Sequence, residues 1–327
     1  MVDVITIGSA TRDVFLASKG FKVKRDKSSV TDVDLVLPLG SKIEVENIIF
    51  ETGGGATNAA VTFTRQGLKT AAIARLGEDP GGRAVRESLE KEGVDVSLIK
   101  QDTDNYTGYS IILVTESGAR TVLVYRGASA HFSEEDIPLN DLKTKWIFIS
   151  SLAGNVRLLA HLVSWADKHN VKTAVIPGGG ELSKGPNVLA PIFSKADVVI
   201  MNREEAAALT AIDLEEKEKI LHKMCLLTRG IGVITDARSG ATACDSKYFY
   251  HIGAHSNPAV ERTGAGDAFA SGFVAGLIKF EHIEGALELA ADNASSVVNY
   301  FGAKKGIRHS GEKPFGDKLE VTKTKIS

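Results

Sequence analysis

The sequence predicts an α/β fold, a three-layer αβα sandwich around a mostly parallel, doubly wound sheet with a small separate β-sheet attached. Three observations lead there. Short apolar, β-branched runs alternate with helix-length segments along most of the 327 residues. Two stretches break that rhythm with apolar–polar alternation around turn signals. No internal repeat occurs, and a chain of this length can bury one large core or two smaller ones, of which a single domain over 1–327 is the expectation.

Each element has its own reason. VDVITIG at 2–8, TAAIARLG at 70–77, KWIFISSL at 145–152, KTAVIPGG at 172–179, ADVVIMN at 196–202 and GVITDA at 232–237 are too apolar to have a wet face. They read as parallel strands covered on both sides. Between them, ATNAAVTFTRQG at 56–67, GGRAVRESLEKEG at 81–93 and NVRLLAHLVSWADKHN at 155–170 have helical periodicity. The stretches VTDVDLVLPLGSKIEVENIIF at 30–50 and TGYSIILVTESGARTVLVYR at 107–126 alternate around PLGS and ESGA. Each is expected to be an antiparallel hairpin, and the two to pair as the small sheet. The charged, aperiodic 19–32 segment is expected to be an exposed loop. ATACDS and YFYHIG come next as two short strands, and the basic tail 311–327 carries one further strand at LEVTK.

Composition excludes several classes. Lys and Arg total 39 against 41 Asp and Glu, a net charge of -2, which offers nothing to nucleic acid or to a membrane surface. No uncharged apolar stretch of membrane-spanning length occurs, and the N-terminus lacks the basic-then-apolar layout of a signal peptide, so a soluble cytoplasmic protein is expected. The two cysteines, Cys225 and Cys244, form no C-x-x-C. That argues against a disulfide framework or a zinc site and suits a reducing compartment.

No Gly-Lys dipeptide is present, so no P-loop can form, and no G-x-G-x-x-G occurs either. Three other motifs carry polar groups to helix starts. In ERTGAGDAFASGFVAGL, Gly264, Ala265 and Gly266 precede Asp267 and a ten-residue uncharged run that reads as a buried helix. Asp267 is either a first-turn residue satisfying the helix end or a general base beside amides that can hold an anion. In ETGGGATNAA, Gly54 and Gly55 lead into a helix presenting Asn58, a connector or a place where a polyol approaches the backbone. In VVIMNREEA, Asn202 and Glu205 sit at a strand end, as an N-cap or as ligands.

GGGATNAA early, NREE in the middle and TGAGDAF late, in that order, resemble the ribokinase (PfkB) family of sugar and nucleoside kinases. The resemblance runs from GSATRD to GAKKGI at 302–307. It implies a ribokinase-like α/β core topped by a discontinuous β-sheet lid at about 14–50 and 104–126, ATP with Mg²⁺, and γ-phosphoryl transfer to a primary hydroxyl of a sugar or nucleoside. It implies Asp267 as the base and the Gly264–Ala265–Gly266–Asp267 amides as an anion hole. It implies Asp13, Gly54, Gly55 and Asn58 on the acceptor. Asn202 and Glu205 would act near the phosphates, Glu205 through Mg²⁺-bound water. Thr235, Ala237 and Gly240 of VITDARSGA match the nucleotide loop in preference to Thr228, and Asn293 falls near the adenine. Family lids can pair edge to edge, so a homodimer through the lid is a further expectation.

The chain departs from the family pattern in three places. Ala237 replaces Gly, Ile176 replaces an Asn before Pro177, and Glu261 replaces the Asp tied to monovalent-cation activation. Arg126, ending a lid strand in VYRGASA, is either a surface Arg at a strand end or, as the resemblance of this segment to kinases of ketohexoses and 2-keto-3-deoxy acids implies, a guanidinium that holds a carboxylate or paired hydroxyls of a ketohexose or sugar-acid acceptor. A nucleoside acceptor would need an aromatic pocket, for which Phe50, Tyr106, Tyr109 and Tyr125 are the candidates. His251 and His255 read as surface residues, and Lys304, Lys305, Lys313, Lys318, Lys323 and Lys325 as a solvated terminus.

Overall fold

Six strands in mutual parallel register form the middle of the molecule. The computed structural model describes residues 1–28, 32–256 and 262–326. Within them a nine-stranded sheet runs in the order Val321–Lys325, Tyr248–Ile252, Ala241–Cys244, Ile231–Thr235, Val198–Asn202, Lys172–Val175, Thr144–Ile149, Val2–Ile7 and Thr70–Ile73. Every pair from Ile231–Thr235 to Thr70–Ile73 is parallel, and the three pairs on the other side are antiparallel. The tail strand therefore extends the main sheet instead of standing alone.

The parallel strands are buried on both faces because their alternate side chains feed two cores. Ile5, Ile7, Ile147 and Ile149 point into one layer with Leu158 and Leu162 of the helix Val156–Lys168. Val4, Trp146 and Phe148 point into the other, with Phe63, Phe273 and Leu287. A strand with period-two side chains and two covered faces has no polar register, which is why these runs lack alternation. The helix Ala265–Phe280 is buried from Ala268 to Gly276 without a break. Gly272 and Gly276 let it lie against Ile283–Val297. A Cβ at Gly276 would come within 2.5 Å of the Cα of Ala286.

The small sheet has four strands in the order Arg120–Tyr125, Gly108–Val114, Thr11–Ala17 and Asn47–Gly53. The 107–126 hairpin forms as expected, with Arg120 opposite Val114 and Tyr125 opposite Tyr109. The 30–50 hairpin does not. Asn47–Gly53 pairs with Thr11–Ala17, whereas Val33–Val36 pairs antiparallel with Lys22–Arg25 in a separate two-stranded ribbon. The 19–32 segment thus contributes a strand where the sequence suggests a loop. All four residues Lys22–Arg25 are exposed, so their ladder is held by backbone bonds alone and leaves no apolar period to read.

The cysteines also depart from expectation. Cys225, on the helix Lys217–Leu227, is disulfide-bonded to Cys244 at the end of Ala241–Cys244, with Cα atoms 5.9 Å apart. A separation of 19 residues in the sequence carries no sign of this. The pairing arises because the helix packs back over the strands Ile231–Thr235 and Ala241–Cys244. No helix among the described residues is long and apolar enough to cross a membrane.

Candidate active site

The carboxyl ends of the parallel strands converge on one cleft. Ser9 follows Val2–Ile7, Ser150 and Ser151 follow Thr144–Ile149, and Ile176, Pro177 and Gly178 follow Lys172–Val175. Asn202 and Thr235 end their own strands. With Gly55, Glu205, Gly266 and Asp267 these residues line a cavity of about 300 Å³. Such convergence is the general ligand-binding geometry of open α/β sheets.

Asp267 stands in the first turn of Ala265–Phe280, where amides have no partner inside the helix. Gly264, the N-cap, has φ of 83°, and a Cβ there would lie 2.3 Å from the Cβ of Ala303. Only glycine satisfies both conditions. Gly54 is constrained the same way at the start of Gly55–Arg65. Its φ is 97°, and a Cβ would come within 2.4 Å of the Ser9 carbonyl oxygen. The two glycine turns bring the helix starts together. Asn58 Nδ2 donates to Asp267 Oδ2 at 2.8 Å, and the Gly55 amide donates to Ser9 Oγ at 3.1 Å. Asn58 is 4% exposed and its Oδ1 is buried with no protein partner. A buried acceptor in that condition has room in its hydrogen bonding for water or a ligand hydroxyl.

Asp13 lies on Thr11–Ala17, also 4% exposed, and accepts from Thr11 Oγ1 at 2.9 Å. Burial raises its pKa, opposed by hydrogen bonds from Ser110 and Thr11 and by the charges of Lys304 and Arg12. Burial likewise raises Asp267. Asn58 and Lys304 oppose that rise and Asp13 adds to it. The two carboxylates thus sense each other.

The sequence puts Lys304 in a solvated terminus, and the structure overturns this. It is 8% exposed, and its Nζ donates to Thr52 Oγ1 at 2.8 Å. Burial pulls its pKa down to about 7 against the attraction of Asp13, Glu51, Glu92 and Asp267. Counting lysines toward the end of a chain says nothing about which one folds under a sheet. The signal lies in its neighbours, the apolar YFGA and GI on either side.

Asn202 caps the helix Arg203–Thr210 in a reciprocal box. Its Oδ1 accepts from the Glu205 amide at 2.7 Å, and Glu205 Oε2 accepts from the Asn202 amide at 2.9 Å. Both also line the cleft, so the capping geometry leaves them at the cavity wall. Burial raises the Glu205 pKa.

A second cavity of about 150 Å³ adjoins the first, sharing Thr235 and Gly266. Its walls are small: Ala237, Gly240, Gly253, Ala254, Ala291 and Ala294, with Phe269 beneath. A narrow apolar slot beside a helix start fits a nucleobase with its phosphates toward Gly266. Thr228 is buried instead, its Oγ1 spent on the Met224 carbonyl. Asn293 does not reach the slot. It is fully buried, donating to the Ala268 carbonyl at 2.8 Å and accepting from the Arg308 amide at 2.9 Å. Ala291, Ala294 and Ser295 form that wall in its place.

Arg126 is exposed at the end of Arg120–Tyr125 and lines neither cavity. Glu261 lies outside the described residues, and His251 and His255 show no metal cluster, none being found among the described residues. Ser9, Ser150 and Ser151 are the cleft-lining residues that motif reading misses, and Lys304 is buried nearby on Thr52. The serines are signalled only by their position, at the first residues past the carboxyl ends of parallel strands.

A parallel sheet with helices on both faces, a crevice at its carboxyl edge and a carboxylate at a helix start define a ribokinase-like α/β kinase. Solved structures share the fold. The Arabidopsis thaliana ribokinase complexed with ribose and ATP superposes with a TM-score of 0.78 at 19% identity, over 94% of this chain and 96% of that one. The adenosine kinase from Sinorhizobium meliloti gives 0.76 at 21%, over 93% and 95%. Among curated proteins, the probable fructokinase-5 of Arabidopsis thaliana is 29% identical over 267 residues, 75% of this chain and 81% of that protein. Residues 2–309 match the pfkB family carbohydrate kinases, and the chain belongs to that family. It is a phosphotransferase with an alcohol group as acceptor.

Proposed function

We propose that the protein phosphorylates a primary hydroxyl of a sugar, a ketohexose by preference, with Asp267 as general base. The observation that carries this reading is the Asp267–Asn58 pair, a buried carboxylate hydrogen-bonded at 2.8 Å to a side chain whose own oxygen awaits a donor. ATP, bound along the slot with Mg²⁺, would supply the phosphoryl group. Asp267 takes the proton of the acceptor hydroxyl at its free carboxylate oxygen as that hydroxyl attacks. The Gly264–Asp267 amides offset negative charge at the cleft floor. Asp13 and Asn58 orient the sugar hydroxyls, with Gly54 and Gly55 admitting them to the backbone. Glu205 would hold Mg²⁺ through water, in keeping with the preference of that ion for few protein ligands.

A ketohexose is favoured because the curated relative above is a fructokinase and because, among the described residues, no aromatic side chain walls the acceptor cleft. Tyr106, Tyr125 and Phe50 are exposed. The second reading, a nucleoside acceptor, draws on the likeness to an adenosine kinase. ADP release measured over D-fructose, D-ribose, a 2-keto-3-deoxy sugar acid and adenosine decides between them. Asp267→Asn should lose turnover by about 10²-fold or more while still binding an ATP analogue. Parental turnover in that variant would remove Asp267 from the chemistry.

The four-stranded sheet acts as the lid in this reading and is also the proposed dimer surface. Leu123 and Phe50 are 52% and 54% exposed, and with Ile48 and Ile111 they lie on one face of the sheet, since Leu123 pairs with Ile111, Ile111 with Val14 and Val14 with Phe50. Contiguous apolar sheet surface of this kind marks association. Sedimentation of the parent should show a dimer that Leu123→Glu converts to monomer. A monomeric parent refutes it.

A further inference from the structure

A third cavity, of about 190 Å³, shares none of its described lining with the cleft or the slot. One turn nevertheless walls both it and the slot. Thr235, Ala237 and Gly240 line the slot, whereas Asp236, Ser239 and Ala241 line this cavity. Its apolar wall comes from Ile220 and Leu221 of the helix Lys217–Leu227 and from Ile234 and Ala241 of the sheet. Its polar lining includes two cations and one carboxylate. Arg203 Nη1 and Lys217 Nζ lie 3.2 and 3.0 Å from the same oxygen, Asp236 Oδ2, so one positive charge is left in excess. The Arg203 side chain is 18% exposed against 50% for Lys217, which makes Arg203 the enclosed cation. Its Nε is buried and has no partner. A buried donor on a charged group in that condition is costly until something accepts from it.

Resting on the reading that ATP occupies the neighbouring slot, we propose that this cavity is an effector site for a small organic carboxylate with an apolar body, and that its occupancy tightens ATP binding. Asp236 engages Nη1 of Arg203, so the guanidinium edge that carries Nε is not spent on it. That edge holds a planar carboxylate through two parallel N–H···O bonds. The apolar wall takes the hydrocarbon part. An uncharged apolar ligand would leave Nε unsatisfied, and a compact inorganic anion would leave the apolar wall uncovered. The volume lies below the roughly 300 Å³ at which sites for larger ligands begin, so it suits a short branched acid and not a nucleotide. The turn transmits the occupancy because it is closed on itself. The Asp236 amide donates to the Gly240 carbonyl and the Ser239 amide to the Asp236 carbonyl, both at 2.8 Å. Ala237 within it has φ of 45°, a left-handed conformation that costs a residue with a Cβ. A ligand packed on Asp236 and Ser239 braces that conformation from one face while ATP uses the other. By linkage, ATP tightens the carboxylate by the same factor.

Isovalerate is the probe, with isoamyl alcohol as its uncharged counterpart and inorganic phosphate as a charge without an apolar body. Calorimetric titration of the full chain should show isovalerate binding about 10-fold or more tighter than either, the scale of one charge-assisted hydrogen bond. Arg203→Met should weaken isovalerate by a similar factor. Leu221→Trp, which fills the cavity from its apolar side, should abolish binding and keep parental turnover. If Arg203→Met does not fold, Leu221→Trp decides alone. Saturating isovalerate should lower KM for ATP by about 5-fold or more in the parent and leave it unmoved in Leu221→Trp. Absence of isovalerate binding, phosphate binding as tight as isovalerate, or binding that survives Leu221→Trp overturns the site. Isovalerate that binds and leaves KM for ATP unchanged overturns the effector role. The slot reading is tested apart from this. Ala294 lines the slot and not this cavity, so Ala294→Phe should weaken a non-hydrolysable ATP analogue while isovalerate still binds. An analogue that binds Ala294→Phe as it binds the parent refutes the slot reading and leaves the carboxylate site standing.

Discussion

Replacing Asn58 by Ala removes one hydrogen bond from one carboxylate, and its size can be worked out from the structure. Asn58 Nδ2 donates to Asp267 Oδ2 at 2.8 Å, in a place where burial already raises the carboxyl pKa. A donor to the charged form favours that form, so its removal raises the pKa further. Hydrogen bonds to charged groups contribute about 1.5–3 kcal/mol, and one pKa unit is about 1.4 kcal/mol, so the shift is about one to two units. The folded state loses about 1.4–2.8 kcal/mol at neutral pH, because a carboxylate whose pKa rises only in the fold destabilises the ionised protein, and deletion of the unpartnered Asn58 Oδ1 offsets part of that. The acid limb of kcat/KM in Asn58→Ala should therefore lie about one to two pH units above the parental limb, with a denaturant midpoint at neutral pH below that of the parent. An acid limb in its parental place, in a folded variant, would show that Asn58 does not tune the group that titrates.

Gly264→Ala forces a left-handed φ on a residue with a Cβ and drives that Cβ into Ala303. It should cost at least about 1–2 kcal/mol in urea unfolding, and an unchanged midpoint would contradict the packing described. Reducing the Cys225–Cys244 bond releases a loop of 19 residues in sequence separation and should lower stability by about 2–4 kcal/mol. Two titratable thiols in the unreduced native protein would show that the bond is not formed in solution. Lys304 binds its proton less tightly folded, at about 7 against 10.5 for an ordinary lysine, so the unfolded chain holds more protons between those values. Stability should then rise with pH across that window, by up to about 1.4 kcal/mol per unit, and Lys304→Met should flatten the rise. Parallel stability curves for the two proteins would place Lys304 in water.

The central sheet was legible because each parallel strand is a continuous apolar run, and nothing but burial on two faces explains such a run between amphipathic helices. The lid was legible only in part. Gly108–Val114 and Arg120–Tyr125 are joined by a tight turn, so their pairing is local and the alternation reports it. Asn47–Gly53 instead pairs with Thr11–Ala17, more than thirty residues away, and a sequence window centred on PLGS cannot see that partner. In the short ribbon all of Lys22–Arg25 and both ends of Val33–Val36 are exposed, so no continuous apolar face imposes a pattern.

At the site the division is sharper, and its cause is what glycine and lysine each reveal. Gly54 and Gly264 could be read from the sequence because a strained turn before a helix tolerates little else, so residue type and backbone geometry coincide. Lysine carries no such constraint. Lys304 and Lys305 are neighbours in the sequence, yet Lys304 is buried on Thr52 and Lys305 stands exposed over the ring of Tyr300. Which of the two enters the site is decided by Arg65, from a helix some 240 positions earlier, which anchors the Lys304 and Ile307 carbonyls and so sets the phase of the segment. A charge on which several carboxylates converge is therefore fixed by a contact at long sequence range. Its consequence for Asp13 and Asp267 emerges only when the folded neighbours are known, because a buried ammonium is costly and the opposed charges that converge on Lys304 offset only part of that cost.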